Sequence, residues 1–311
     1  MEECLKVRGK IMNKKYFGYL SAIITIIIWG TTFISTKLLL KSFLPIEILF
    51  FRFLIGFLAL IVVYPKWLKG TSLKQEFTFA AAGLCGITLY YLLENIALTY
   101  TTASAVGVII STAPFFTAIL SYFISGKKDK LSLLFFIGFV ISMAGIFLIS
   151  FGDSNFQINP TGDILAVIAA FIWALYSVLT KKISGYGYNT IQSTRRIFLY
   201  GIVFMLPFLF GFDFSLDFSG FSEKGNLFNM LFLGFGASAL CFVTWNFAVK
   251  GLGAVKTSVY IYLVPVITVL ASVLILKEKE TIFSALGAFL TLSGLILSQI
   301  KNRGKKNECS E

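Results

Sequence analysis

Long apolar runs separated by short polar segments extend along nearly the whole chain. A bilayer core about 30 Å thick needs about 20 residues of helix, and ten runs are long enough. Backbone polar groups cannot stay unpaired in hydrocarbon, so these runs predict helices rather than irregular segments. The predicted spans are Tyr16–Thr36, Pro45–Tyr64, Phe77–Thr99, Ala103–Ser125, Leu131–Phe151, Gly162–Lys181, Ile191–Phe212, Leu227–Lys250, Ala254–Leu276 and Thr281–Ile300.

The two halves of the chain repeat one another. ENIALTYTTASAVGVIISTAP, which ends at Pro114, aligns with WNFAVKGLGAVKTSVYIYLVP, which ends at Pro265, at an offset of 151 positions. WGTTFISTK, from Trp29, aligns with WALYSVLTK, from Trp173, at an offset of 144. Each half holds five predicted helices, an odd number, so the second half enters the membrane from the opposite side. The repeats are therefore predicted to be inverted.

These patterns predict an all-α polytopic membrane protein with five parts. Residues 16–151 and 162–300 are the two five-helix repeats, and the hydrophilic residues 152–161 connect them on the outer side. Residues 1–15 and 301–311 are basic tails. The first apolar stretch is too long for a secretory signal and reads as an uncleaved span.

Composition supports the membrane class. Hydrophobic residues make up 57% of the chain, charged residues 14%, and the mean hydropathy is +0.84. The net charge of +12 does not indicate nucleic acid, because the basic residues punctuate the apolar runs instead of forming a patch with aromatic residues. Of the 27 Lys and Arg residues, 19 fall on one side of the predicted layout. Both termini are therefore predicted to be cytoplasmic, in a multi-pass protein of the cell membrane.

The motifs resemble a known family. The segment ALTYTTASAVGVIISTAPFFTAIL, the Trp-Gly pair of the first span and the arginine inside the second are similar to those of EamA-type members of the drug/metabolite transporter superfamily. The resemblance runs from about Tyr16 to Ile300. It implies a secondary carrier that moves amino acids, nucleobases or related metabolites, often outward, by alternating access.

Few charges lie deep in the predicted spans. The chain has no histidine, no Asp lies inside a span, and the cysteines form no cluster, so we expect no metal site, no cofactor and no enzyme activity. At 1.5 Å per residue, Glu94 and Arg52 lie at similar depths, about 9 and 10 Å from the outer surface. We expect them to form an ion pair. Glu94 is either a site that couples transport to protons or a structural counter-ion of Arg52.

The second half does not repeat this pair. At the offset of 144, Arg52 falls on Arg196, but the position that matches Glu94 is Trp245. We expect Arg196 to lie against the Trp245 ring and Arg195 to extend to the headgroups.

Two further matched pairs have structural and functional interpretations. Asn95 and Asn246 hold helices together or contact a substrate, and we include both with Glu94, Arg52 and Arg196 as candidates for coupling or gating. Pro114 and Pro265 are predicted to kink the fourth and ninth spans and so to shape a cavity.

Midplane positions are where an inverted-repeat carrier is expected to bind its substrate. The polar and aromatic candidates there are Trp29, Thr32, Tyr90, Ser111, Trp173, Tyr176, Ser238, Tyr260 and Tyr262. They predict a mostly neutral cavity for a small neutral or zwitterionic solute, with amino acids preferred and export favoured. Multidrug or nucleobase efflux, and a structural or receptor-like membrane protein, remain alternatives.

Overall fold

The computed structural model describes residues 2–124, 132–151, 159–212, 214–215, 218–271 and 282–300. Most of the predicted outer connector and the predicted C-terminal tail lie outside the described residues. Helices form the described part of the chain, which contains no strand. The described helices are α1 (Glu2–Leu39), α2 (Pro45–Val63), α3 (Leu73–Tyr100), α4 (Ala103–Ile110 and Ala113–Ile124), α5 (Leu133–Phe151), α6 (Pro160–Ser184), α7 (Thr190–Gly211), α8 (Lys224–Leu252), α9 (Ala254–Ser258, the 3₁₀ turn Val259–Tyr262, and Leu263–Ala271) and α10 (Ile282–Gln299).

A helix lies at each of the ten predicted segments. Seven described helices are long and apolar enough to cross a membrane, and shorter apolar helices lie at 133–149, 254–267 and 285–298. The prediction of an all-helical protein with several candidate membrane spans is confirmed.

Local chemistry explains where several helices begin. Pro45 stands at the first position of α2, and the Glu47 carboxylate accepts a 2.8 Å hydrogen bond from the Leu44 amide at the cap. The Asn159 and Asn189 side chains accept from backbone amides in the first turns of α6 and α7. These bonds satisfy amides that a helix start leaves without an intrahelical partner.

Helices α5 and α10, which the internal repeat makes equivalent, cross at glycines. A Cβ on Gly138 would lie 2.6 Å from the carbonyl oxygen of Gly294, and one on Gly145 would lie 2.6 Å from that of Gly287. As the residue number rises on one helix it falls on the other, so the two helices run antiparallel. Gly138 matches Gly287 and Gly145 matches Gly294, so the contact is its own image under exchange of the halves.

Two more contacts join equivalent residues. The rings of Trp29 and Trp173 lie 5.1 Å apart between centroids, and so do those of Phe53 and Phe198. A residue that touches its own copy lies on the axis relating the copies. The halves therefore meet around these aromatic pairs.

The Phe53–Phe198 pair also corrects the predicted alignment of α2 with α7. The first residues of these helices, Pro45 and Thr190, and the closely packed Gly56 and Gly201, are both 145 positions apart. This offset places Ile197, not Arg196, at the position of Arg52. The prediction that Arg52 is repeated as Arg196 is wrong by one residue, because α7 starts 17 positions after Trp173 whereas α2 starts 16 positions after Trp29.

Equivalent helices α3 and α8 share an irregularity. The segments Leu84–Leu89 and Phe232–Leu240 are π-helical and overlap at the offset of 151. Gly83 and Gly234 let these helices approach α7 and α2, since an added Cβ would lie 2.7 Å from the Ile197 carbonyl oxygen and 2.5 Å from the Ile55 side chain, respectively. π-helical turns inside α-helices are frequent at functional sites.

Candidate functional site

A central cavity of about 30 Å³ lies between α1, α3, α4, α6 and α9, beside the tryptophan pair. Such a volume holds only a few water molecules, far less than a metabolite. Its lining residues are Trp29, Thr32, Phe33, Tyr90, Tyr91, Glu94, Gly107, Ile110, Ser111, Trp173, Ile261 and Val264.

Aromatic rings form the wall toward the axis of the two halves. The Tyr90 ring lies 4.8 Å from the Trp173 ring and 4.7 Å from the Tyr91 ring, between centroids. The Trp29 indole N–H donates to the Ala237 carbonyl oxygen at 3.1 Å, which fixes that ring against α8. These contacts give the cavity a rigid apolar wall.

Two polar atoms of the lining residues are unsatisfied. Glu94 is 4% exposed, and its Oε2 has no hydrogen-bond partner among the described residues. The buried indole N–H of Trp173 has no such partner there either. A buried polar atom without a partner costs about 1–3 kcal/mol, and more for a charged group. Glu94 and Trp173, two residues that line the cavity, therefore each hold a buried polar atom that a hydrogen-bond partner would stabilise.

The expected direct ion pair between Glu94 and Arg52 is absent from the described chain. Arg52 is not among the lining residues of the cavity. Its guanidinium lies over the Tyr91 ring, 4.3 Å from the centroid, and its Nε donates to the Ser238 hydroxyl at 3.1 Å. Its two terminal nitrogens are buried without a hydrogen-bond partner in the described residues. Contact with the aromatic face replaces the carboxylate we expected.

The second half corrects two more expectations. Arg196 does not lie against Trp245; it forms an ion pair with Glu76 of α3 at 2.8 Å. Trp245 instead packs on Trp29 and Trp173, with centroids 5.1 and 5.7 Å away.

Arg195 does not extend to the headgroups. It is 2% exposed, donates to the carbonyl oxygens of Tyr64 and Lys66, and lies 4.5 Å from the Trp67 centroid. Its acceptors are backbone carbonyl oxygens of the segment that follows α2, and such acceptors leave no sequence signal.

Each candidate asparagine forms a hydrogen bond to the helix before its own, Asn95 from α3 to α2 and Asn246 from α8 to α7. The Asn95 amide donates to the Pro45 carbonyl oxygen at 3.1 Å. The Asn246 amide donates to the Thr194 hydroxyl at 2.9 Å, which in turn donates to the Thr190 carbonyl oxygen. Neither asparagine lines the central cavity.

Five of the nine midplane candidates, Trp29, Thr32, Tyr90, Ser111 and Trp173, line the cavity, and four do not. The Tyr176 ring packs against the Trp173 ring, and its hydroxyl donates to the Asn246 side-chain oxygen at 3.1 Å. Ser238 accepts from Arg52. Tyr260 lies near Tyr19, and the buried Tyr262 packs toward α5.

The helices that carry the two prolines are interrupted. Helix α4 breaks at Ser111 and Thr112, just before Pro114, and in α9 a 3₁₀ turn ends at Tyr262, three residues before Pro265. The break in α4 brings Ser111 to the cavity wall.

Sequence reasoning missed several lining residues. Tyr91 and Phe33 adjoin the candidates Tyr90 and Thr32, and the remaining ones are glycine or aliphatic. Aliphatic side chains carry no signal in a chain where such residues fill every span. Within the described residues, no group of three His, Cys, Asp or Glu side chains could hold a metal ion.

Comparison with known proteins covers the whole repeat architecture. The model of the EamA-like transporter family matches residues 16–151 and 160–299. An uncharacterized transporter of Archaeoglobus fulgidus is 31% identical over 299 residues, covering 93% of this chain and 99% of the relative. An uncharacterized transporter of Clostridium kluyveri is 27% identical over 302 residues, 92% of this chain and 94% of the relative.

Other matches agree. The uncharacterized transporter YdfC of Bacillus subtilis is 25% identical over 276 residues, 88% of each chain. A solved crystal structure superposes with a TM-score of 0.70 at 18% identity, over 93% of this chain and 96% of the other, which shows a shared fold. Matched in both halves, this multi-pass membrane protein is a transporter and belongs to the EamA-like transporter family.

Proposed function

We propose that the protein is a secondary transporter that exports a small neutral or zwitterionic metabolite, such as an amino acid, across the cell membrane. Ten spans form two inverted five-helix repeats with cytoplasmic termini, and transport proceeds by alternating access between them. The antiparallel crossing of the equivalent helices α5 and α10 supports the inversion.

One observation carries the proposal: the central cavity lies where the halves meet, and two of its lining residues hold buried polar atoms without a partner in the described chain. Once the halves separate and expose them, the Glu94 carboxylate and the Trp173 indole N–H suit a molecule that brings both a donor and an acceptor. An α-amino acid has both. The walls formed by Trp29 and Tyr90 also suit a planar ring, which favours nucleobases as the second candidate substrate class.

Alternating access requires the halves to separate, because about 30 Å³ is too small for any such solute. At one end of the molecule, Glu76 of the first half binds Arg196 and accepts a 2.6 Å hydrogen bond from the Tyr200 hydroxyl. We call these contacts the inner latch. Arg195 holds the carbonyl oxygens of Tyr64 and Lys66 at the same end. We propose that the inner latch opens when the cavity faces the cytoplasm.

Glu94 is the proposed coupling residue. The groups that interact with it are the Tyr90 and Tyr91 hydroxyls on its own helix and the Arg52 guanidinium on α2, which lies over the Tyr91 ring. Because the described chain has no direct ion pair here, the Glu94 Oε2 atom is available to bind a proton or a substrate ammonium group in turn. Because the proton and the substrate ammonium group would compete for one carboxylate, the carrier would exchange protons for substrate across the membrane.

Flux into proteoliposomes tests the proposal. Amino acids, nucleobases and lipophilic cations are each loaded at two pH values, with empty liposomes and the Trp173→Ala variant as controls. We expect saturable counterflow for at least one amino acid or nucleobase, lost in the variant. A folded protein that moves none of these classes, or that moves only lipophilic cations, would refute the proposed substrate class.

A further inference from the structure

A second cavity, the inner cavity, lies apart from the central one. It holds about 20 Å³ between the end of α6, the start of α7 and the end of α8. Of the predicted site residues, only Asn246 lines it, and both polar ends of that amide are already bonded, to Thr194 and Tyr176.

Lys250 brings a positive charge to the inner cavity. Its nearest acceptor in the described chain is the Tyr188 carbonyl oxygen, at the long distance of 3.5 Å. No carboxylate of the described residues pairs with it. A lysine ammonium has three donors, so most of its capacity is available to a ligand.

Two hydroxyls from the first turn of α7 face the same cavity. Thr190 and Ser193 are each 7% exposed, and the described chain supplies no hydrogen-bond partner for either hydroxyl. The other hydroxyls are in use, because Thr180 and Ser184 donate to carbonyl oxygens of their own helix. The positive end of the α7 dipole reinforces the attraction for an anion.

The first half shows that the scaffold does not require these groups. At the offset of 145, Pro45 and Ile48 stand where the second half has Thr190 and Ser193. At the offset of 151, Thr99 stands in place of Lys250. The second half thus has a cation and two hydroxyls at positions where the first half has threonine, proline and isoleucine.

We propose that the inner cavity receives the oxygen atoms of one small anionic group, a carboxylate or a phosphate, whose remaining atoms extend outward past the partly exposed Lys250. Lys250 supplies the charge, and the Thr190 and Ser193 hydroxyls donate the orienting hydrogen bonds. The group comes either from a free solute, such as a substrate carboxylate at the inner end of its path, or from a lipid headgroup. The site requires no transport activity, so it stands or falls separately from the proposed function.

Thermal unfolding of the full-length protein in nanodiscs tests the site. Sodium acetate and inorganic phosphate are titrated in discs of phosphatidylcholine, with ionic strength held by a bulky sulfonate buffer. We expect a saturable rise in Tm for the wild type, with apparent affinity reduced about tenfold or more in Lys250→Gln. Lys250→Arg retains the response, and Lys182→Gln, which removes an exposed lysine near the same end, leaves it unchanged.

Further arms identify the source and guard against misfolding. If a lipid phosphate is the natural occupant, discs with phosphatidylglycerol suppress the acetate response, and that lipid stays bound in native mass spectra of the wild type but not of Lys250→Gln. A free solute group predicts the same acetate response in both lipids. Should Lys250→Gln fail to fold, Ser193→Ala weakens binding without removing a charge. The proposed site would be overturned if the wild type showed neither a saturable response nor retained lipid. It would also be overturned if the wild type and folded Lys250→Gln or Ser193→Ala gave equal responses.

Discussion

Adding one methyl group where α5 crosses α10 should measurably lower the thermal stability of the protein. In Gly294→Ala, the new Cβ would lie 2.5 Å from the Gly138 carbonyl oxygen and from the Ser142 amide nitrogen. These distances are 0.5 Å inside the 3.0 Å limit that real Cβ atoms respect, and both obstacles are backbone atoms that cannot rotate away.

The magnitude follows from two opposing effects. Overpacking costs about 1–3 kcal/mol, and the rigid obstacles place this site at the upper end. Alanine regains up to about 1 kcal/mol of helix propensity. We therefore expect a net loss of about 2 kcal/mol and a Tm lower by several degrees in detergent. Gly145→Ala, the matching position, should lose a similar amount, since its Cβ would lie 2.6 Å from the Gly287 carbonyl oxygen.

Gly236→Ala is the matched control, because its Cβ would make ordinary contacts of 3.5 and 3.6 Å with the Phe232 ring. Its Tm should equal or exceed that of the wild type, because no overpacking opposes the gain in helix propensity. Unchanged Tm values for Gly294→Ala and Gly145→Ala, or a comparable fall in the control, would refute close antiparallel packing of the equivalent helices.

Three further changes probe the latch, the polar network and the cavity. Glu76→Gln weakens its ion pair with Arg196, whose side chains are 19–23% exposed. A pair of this exposure contributes about 1 kcal/mol, so its loss should raise hydrogen exchange in residues 64–72 about fivefold. Glu223→Gln, which breaks contacts within one half, should not raise exchange in these residues. Equal exchange in both variants would contradict the inner latch. Tyr176→Phe removes the donor to the Asn246 oxygen and should cost about 1–3 kcal/mol, so an unchanged Tm would show that the bond is dispensable. Trp173→Phe keeps a ring but removes the unsatisfied N–H; substrate affinity of the folded variant should fall about five- to tenfold, and unchanged affinity would remove this donor from the site.

Much of the fold could be predicted because membrane helices are long and uniformly apolar. The predicted start of α2 at Pro45 is the observed one, and α7 begins one residue before its predicted start. Register was harder. One extra residue between Trp173 and the start of α7 moved Arg196 off the position of Arg52, and nothing in the apolar flanks around either arginine could reveal this shift.

The candidate site was predicted in part. Large polar or aromatic side chains near the middle of spans, such as Trp29 and Tyr90, stood out and line the cavity. The pairing of charges could not be predicted, because depth along a helix does not give its rotation. Arg52 points to the Tyr91 face, and Glu94 is left to the cavity. The corrected register makes the asymmetry larger than expected, since Ile197 and Trp245 stand at the matching positions in the second half.

Flux driven by a pH gradient, compared with exchange at equal pH, tests the central claim most directly. The comparison uses wild-type and Glu94→Gln protein in proteoliposomes, with the amino acid or nucleobase that gives the strongest counterflow. We predict that Glu94→Gln loses pH-driven flux while folded protein still exchanges substrate at equal pH. Wild-type pH-driven flux in Glu94→Gln would contradict the claim that this carboxylate couples transport.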